Sequence, residues 1–265
     1  MNTPLRAVPK FKMPLLVCAR LVAMLSAILL MSPVLHAREL KIGVGNFPPY
    51  FSEKGNTGLF TDLIYETFKL LPQYQLKSLV PMSNYRLVIE LNEGRVDGSA
   101  NIFADAKITG CRSDPIFRYS DVAITRKERT LKISEIKDLK GKSIVTYQGA
   151  HTFLGKPFQM VSSSEPNMYR EVSHPADQAR LLATGQYDVS VGDMYIFLNS
   201  LQTWADPRYT PEQFEIHRQF PDIYSHMAFR EQSLCDDFNA ALRTIKQNGR
   251  YEAVYSHYLK NLSRH

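Results

Sequence analysis

The sequence predicts an α/β protein built as two lobes, on three observations. Short β-rich runs alternate with amphipathic helical ones through residues 40–260. The unit Glu93-Gly94-Arg95-Val96-Asp97-Gly98 recurs as Thr184-Gly185-Gln186-Tyr187-Asp188-Val189, each time a helix end, a glycine, a polar residue, a β residue and an aspartate. Glycine there supplies the left-handed helix stop, and the aspartate opens the next strand. Such connections recur in any α/β protein, so the repeat by itself speaks only for two α/β lobes. The third observation is composition: 265 residues, 44% hydrophobic and 22% charged, suffice for one large or two small globular domains and exclude disorder and low complexity.

Taken in order, Leu40–Val44 is a strand that runs into Gly45-Asn46-Phe47-Pro48-Pro49, a loop stiffened by two prolines. Leu63, Ile64, Thr67, Phe68 and Leu71 share one face of a helix over Thr61–Leu71, which Pro72 ends. Gln75–Val80 reads as a strand, Tyr85–Asn92 as a short helix, and Val96–Ile102 as a strand. Val122–Thr125 is a further β-branched run. The pattern then begins again, with strands at Lys142–Tyr147 and Tyr169–Val172 and a helix over Pro175–Thr184 that starts with proline and stops at Gly185. Tyr187–Val191, Phe214–His217 and Tyr224–Phe229 are strands. Two helices close the chain. Ser233-Leu234-Cys235-Asp236 resembles a capping-box start for the first, and the second follows Gly249.

The net charge of +6 suggests a nucleic-acid binder until the charge is located. Arg6, Lys10, Lys12 and Arg20 lie in an acid-free start, leaving 28 basic against 26 acidic residues from Arg38 onward. No basic stripe remains, so neither nucleic acid nor an anionic membrane is implied. The basic start leads into the apolar run Leu21–Met31, then Ser32-Pro33 and Leu35-His36-Ala37, the pattern of a secretory signal cleaved after Ala37. A spanning helix needs ~20 apolar residues, so residues 1–37 read as a signal peptide and no membrane insertion is expected. Two cysteines follow, Cys111 and Cys235. In an oxidising compartment they form one disulfide closing a long loop, or else stand as two buried thiols. No C-x-x-C or H-x-x-x-H spacing occurs, so no metal is expected.

Nine short markers then stand in a fixed order: Ile42–Tyr50 (IGVGNFPPY), Gly58–Leu63 (GLFTDL), Gly94–Gly98 (GRVDG), Ser113–Pro115 (SDP), Ile136–Ile144 (IKDLKGKSI), Tyr147-Gln148-Gly149, Gly185–Asp188 (GQYD), Gly192-Asp193 and Asn248–Tyr255 (NGRYEAVY). In these the chain resembles periplasmic solute-binding proteins of the amino-acid (family 3) type, the substrate-binding components of ABC transporters. The resemblance implies the type II-like periplasmic-binding-protein fold, two α/β lobes joined by two extended crossovers. Carried over, lobe one is 38–124 plus 222–265, lobe two is 125–221, and the crossovers are Val122–Arg126 and Tyr224–Arg230. A Cys111–Cys235 bond would tie the C-terminal helix to the body of lobe one.

A cleft between lobes needs aromatic walls, a few fixed polar groups and backbone N–H donors. Phe47 and Tyr50 follow a strand, where α/β proteins bind ligands; loop packing is the alternative. Asn84, Tyr85 and Arg86 open a helix where the family carries an aromatic and sometimes an arginine; Arg86 could equally be a solvated charge. The family pattern T-x-T-x-x-R falls on Asn101, Phe103 and Ala106, so its carboxylate-clamping arginine is absent. Lys107, adjacent, offers a point charge without the fork. Gln148-Gly149-Ala150-His151 follows a strand and opens a helix, a natural anion site. Asp193 matches the family's ligand-ammonium carboxylate, with Tyr195 beside it; a helix cap and a core residue are the alternatives. Two ligand readings stay open: an amino-bearing solute without an α-carboxylate, or a carboxylate held anew through Arg86, Lys107 or the Gly149 turn.

The functional expectation is a non-catalytic receptor, monomeric and without cofactor, that captures a small polar solute in the periplasm for an inner-membrane ABC permease or a sensor ectodomain. An enzyme on the same scaffold would draw an acid/base pair from Asp193, Lys107 and His151. No G-x-S-x-G elbow occurs, and Gly43-x-Gly45 lacks a third glycine. An adhesive protein would not need proline-stiffened aromatic loops facing an acidic strand end.

Overall fold

Backbone groups in buried runs must find partners within the chain, and the β-rich runs do so in two five-stranded sheets. The computed structural model describes residues 37–264. The signal read in residues 1–37 lies, but for Ala37, outside them. In chain order the strands are β1 Arg38–Val44, β2 Tyr74–Pro81, β3 Gly98–Ile102, β4 Cys111–Tyr119, β5 Asp121–Arg126, β6 Ile144–Tyr147, β7 Tyr169–Val172, β8 Val189–Asp193, β9 Phe214–His217 and β10 Ile223–Phe229. The helices are α1 Leu59–Phe68, α2 Asn84–Asn92, α3 Ala150–Phe153, α4 Gly155–Ser164, α5 Pro175–Ala183, α6 Met194–Trp204, α7 Gln232–Gln247 and α8 Arg250–Leu262.

The first sheet has the order β2-β1-β3-β10-β4 and the second β7-β6-β8-β5-β9. Each has a parallel half and an antiparallel one. In the first, β1 pairs parallel with β2 and β3, while β10 runs antiparallel between β3 and β4. In the second, β6 takes the place of β1 and β5 that of β10. This is the two-lobed α/β architecture, with the sequence repeat leading into β3 and β8, equivalent strands of the two sheets. Leu40, Ile42 and Val44 of β1 are fully buried against α1, whose inner face carries Leu63, Ile64 and Phe68.

The segments expected as crossovers belong to the sheets. Val122–Thr125 is almost wholly buried, so its backbone groups need ladder partners, and it lies in β5 between β8 and β9. Tyr224–Phe229 lies likewise in β10. The chain therefore passes between sheets at Ser120 and again between His217 and Ile223. The Ser120 hydroxyl donates to Asp222 Oδ1 at 2.8 Å, tying the two passages together.

Other boundaries shift for local reasons. Helix α1 starts at Leu59 because the Leu59 and Phe60 N–H groups bond Pro49 and Tyr50 carbonyls, and it ends at Phe68 as Leu70 and Leu71 fold into a turn. Helix α7 starts at Gln232 after Glu231, with no side-chain cap, so the capping-box expectation at Ser233 does not hold. Its first turn instead pairs Gln232 with Asp236, while Glu231 is held by Arg38. Strand β4 contains Pro115, tolerated because β4 is an edge strand whose pairing slips there. The Cys111–Cys235 disulfide joins β4 to α7. No helix among the described residues is long and apolar enough to cross a membrane.

Candidate functional site

Where β5 and β8 pair, Asp121 stands directly opposite Asp193. Both carboxylates line a cavity of about 690 Å³, together with Phe103, Tyr119, Tyr147 and Phe153 among others. The remaining lining residues are Asp105, Pro175, Gln178, Ile196, Phe197 and Ile223. The wall thus holds, among the described residues, three carboxylates and five aromatic rings, and no Lys, Arg or His. Among the described residues, the carboxylates do not gather with other ligating side chains into a set that could hold a metal ion.

Asp193 ends β8 and caps α6, its Oδ1 accepting from the Ile196 N–H at 2.9 Å. Its Oδ2 accepts from the Ser120 N–H at 2.9 Å and from the Tyr50 hydroxyl at 2.6 Å. Tyr50 belongs to the loop after β1, so this bond joins the two lobes beside the chain passage at Ser120. Burial raises the Asp193 pKa to about 6, against the opposing pull of the Tyr50, Ile196 and Ser120 donors. Asp121 is 6% exposed, and its hydrogen bond is a long one, 3.4 Å from the Tyr147 hydroxyl. Burial, then the charge of Asp193, pushes Asp121 up to about 7. Gly192, which precedes Asp193 and pairs with Val122, has no room for a side chain, since a Cβ would stand 2.8 Å from Gln178 Nε2. Gln178 is itself fixed by bonds from that nitrogen to Ser190 Oγ and the Val191 carbonyl.

Of the residues singled out in the sequence, Phe103 and Asp193 line this cavity. Phe103 stacks on Tyr119 with ring centroids 5.9 Å apart. Tyr50 and Asn101 sit one layer behind. The Tyr50 ring is fully buried and stacked on Phe60 at 4.0 Å, with Phe47 edge-on against it, so only its hydroxyl reaches toward the cleft. Asn101, at φ 57°, a left-handed conformation asparagine tolerates, accepts from the Tyr119 and Ser225 hydroxyls and donates to Asn84 Oδ1. Asn84 and Asn101 therefore brace the Tyr119 wall. Tyr195 is buried against Tyr255. Arg86, itself exposed, is paired with the buried Glu90 at 2.8 Å, and Lys107 is exposed and does not line the cavity.

The turn at Gln148-Gly149-Ala150-His151 is already occupied. The Gly149 and His151 N–H groups donate to the two oxygens of Glu171 at 2.8 and 3.2 Å, and the Tyr169 hydroxyl donates to the same carboxylate at 2.7 Å. Burial opposes ionisation of Glu171, but the Gly149, Tyr169 and His151 donors outweigh it and lower its pKa. Helix α3 behind the turn is a single turn, Ala150–Phe153, and Gln148 gives its N–H to Val172. Asp121, Tyr147 and Glu171 were not signalled as site residues by sequence. Asp121 opens a β-branched run and reads as an ordinary strand-start polar residue. Only the antiparallel register sets it opposite Asp193.

Comparison with known proteins gives the following. No family model matches the chain. An arginine-binding periplasmic protein of Mannheimia haemolytica is 27% identical over 152 residues, 56% of this chain and 58% of that protein. The match thus spans just over half of that relative's length. The L-cystine-binding protein TcyJ of Bacillus subtilis (strain 168) is 25% identical over 222 residues, 80% of this chain and 81% of the other. An ancestral cationic amino acid solute-binding protein of known structure has a TM-score of 0.65 at 19% identity, covering 85% of this chain and 97% of its own.

Proposed function

We propose that this chain, which resembles amino-acid-binding periplasmic proteins in sequence and has the two-lobed α/β fold, is a non-catalytic receptor for a small polar, amino-bearing solute. The observation that carries this reading is the cavity at the junction of the two sheets, acidic and aromatic, with no cationic side chain on its wall. Aromatic faces and buried carboxylates together suit a desolvated cation. The two relatives named above, for arginine and for L-cystine, are binding proteins named for ligands that bear amino groups.

On this reading the lobes are residues 38–124 plus 222–265 and residues 125–221, with the boundary at Ser120 rather than Thr125 if β5 is counted with its sheet. The protein is exported through the signal in residues 1–37, works as a monomer in the periplasm, and presents its closed form to an inner-membrane ABC permease. The ligand drives closure only by its greater affinity for the closed state. The Tyr50–Asp193 bond is where ligand contact and lobe position meet.

A thermal-shift screen of ligand-free protein against amino acids, amines and small carboxylates tests this. A ligand at 100 times its Kd adds ~2.7 kcal/mol, which raises Tm by roughly 5–10 °C for a chain of this size. Saturable shifts by amino-bearing solutes, with the solute recovered unchanged, are expected. Silence of the whole panel, or conversion of the solute, refutes the receptor reading.

A further inference from the structure

We propose that Asp121 is the anchor for the ligand's cation, and that the ligand is an organic amine lacking a free carboxylate. The inference rests on the reading of the cavity as the solute site and names which side chain selects the solute.

The first part follows from counting donors at the two facing carboxylates. Asp193 already accepts three hydrogen bonds, from Ile196, Ser120 and Tyr50, and they fix it as helix cap and lobe tie. An ammonium ligand could reach it only by displacing or sharing with one of them. Asp121 is buried to the same degree, yet among the described residues only the Tyr147 hydroxyl reaches it, at 3.4 Å. The other groups acting on it are the carboxylates of Asp193 and Asp222. A buried carboxylate without a counter-cation is costly to keep ionised, and a cation arriving from the cavity removes that cost. Tyr147 and Tyr119 supply flanking aromatic walls for the same charge.

The second part follows from what has become of the groups that could hold a carboxylate. The N–H donors of the Gly149 turn are filled by the protein's own Glu171. Arg86 is committed to Glu90. Lys107 lies off the cavity, and the wall carries no other cation. A ligand carboxylate would meet Asp105, Asp121 and Asp193 with no compensating charge. Repulsion of that kind is a specificity device as effective as a new attraction.

The test is calorimetric titration of the purified protein with three matched pairs: arginine and agmatine, lysine and cadaverine, cystine and cystamine. Within each pair the second member lacks the carboxylate. The wild type is expected to bind at least one amine more tightly than its amino acid. Asp121→Asn, shown to be folded by its unfolding transition, is expected to weaken that amine by ~10-fold or more, the usual worth of a hydrogen bond to a charged group. Binding of amino acids as tightly as their amines overturns the inference, as does a folded Asp121→Asn variant with unchanged amine affinity. In both cases the protein still binds solutes and the receptor reading stands. The wild-type comparison needs no variant, so the inference stays testable even if Asp121→Asn does not fold. Silence of all six probes overturns the inference; only silence of the wider panel above overturns the receptor reading as well.

Discussion

An acid held above its ordinary pKa in the folded state makes the ligand-free protein lose stability as pH rises, and Asp121 is placed to make that loss measurable. Its ordinary value is 3.8 and burial beside Asp193 raises it to about 7. Between these values the folded chain holds a proton that the unfolded chain has released. The stability from this group is therefore fully present below about pH 4 and is lost as pH rises through 7. At 1.36 kcal/mol per pH unit the total loss is on the order of 4 kcal/mol. Asparagine has the same shape and no charge to bury. Asp121→Asn should match the wild type near pH 4 and exceed it above pH 7, by roughly 10 °C in Tm at the 2–4 °C per kcal/mol usual for this size. The assay is thermal unfolding of both ligand-free proteins from pH 4 to pH 8.5, read as the difference between them so that the carboxylates remote from Asp121 cancel. Parallel curves, or a wild type that gains on the variant as pH rises, would refute the assignment of a strained, uncompensated charge to this position.

Tyr50→Phe removes the donor at 2.6 Å from the buried Asp193 and should cost ~1–3 kcal/mol; a Tm within 1 °C of wild type would show that the lobe tie carries no weight. Reducing the Cys111–Cys235 disulfide, or replacing both cysteines by alanine, releases a loop spanning 124 positions and should lower stability by up to ~5 kcal/mol in the chain-entropy model, seen as a leftward shift in urea unfolding without loss of cooperativity. Glu171→Gln deprives the Gly149 and His151 N–H groups of an ionised acceptor and should cost ~1 kcal/mol or more, measured by the same unfolding curves. Arg86→Ala breaks a half-buried pair with Glu90, which Arg95 continues to hold, and should change stability by no more than ~1 kcal/mol and amine affinity by less than twofold, checked by calorimetry.

The features legible in the sequence are those set by local chemistry. Gly94 and Gly185 stop helices and lead into β3 and β8, so the repeat located an equivalent strand in each sheet. Period-3.6 faces revealed α1, α7 and α8 because each is apolar on one side only, and an opening proline with the Gly185 stop marked α5. Strand β4 escaped because Pro115 argues against a strand, and only its edge position resolves the conflict. Helix α6 escaped because MYIFLNSLQTW is apolar nearly all round, leaving no stripe to detect. At the site, Asp193 was legible from Gly192-Asp193 at a strand end. The burial of Tyr50 and the filling of the Gly149 turn by Glu171 were not, since both depend on pairings between residues 143 and 22 positions apart.

The features of the cleft point in one direction. A receptor for zwitterions must supply a cation for one end of its ligand and an anion for the other. Here the position that resembles the family's clamping arginine is Ala106, and the backbone donors that could replace it are turned onto Glu171. Losing the anion site alone would leave a weak binder of amino acids. Asp121 opposite Asp193 does more, because two buried acids on one wall disfavour a third. On the inference drawn above, the two features together turn the cavity's preference from a balanced pair of charges to a net cation, and that inversion can be tested. Neutralising Asp121 removes only one of the two facing acids. If the inversion depends on both features, Asp121→Asn should lose the amine without acquiring the amino acid, whereas Asp121→Asn combined with Ala106→Arg should recover measurable amino-acid binding. An Asp121→Asn single variant that already binds amino acids would mean that repulsion by Asp121, and not the missing anion site, had kept them out.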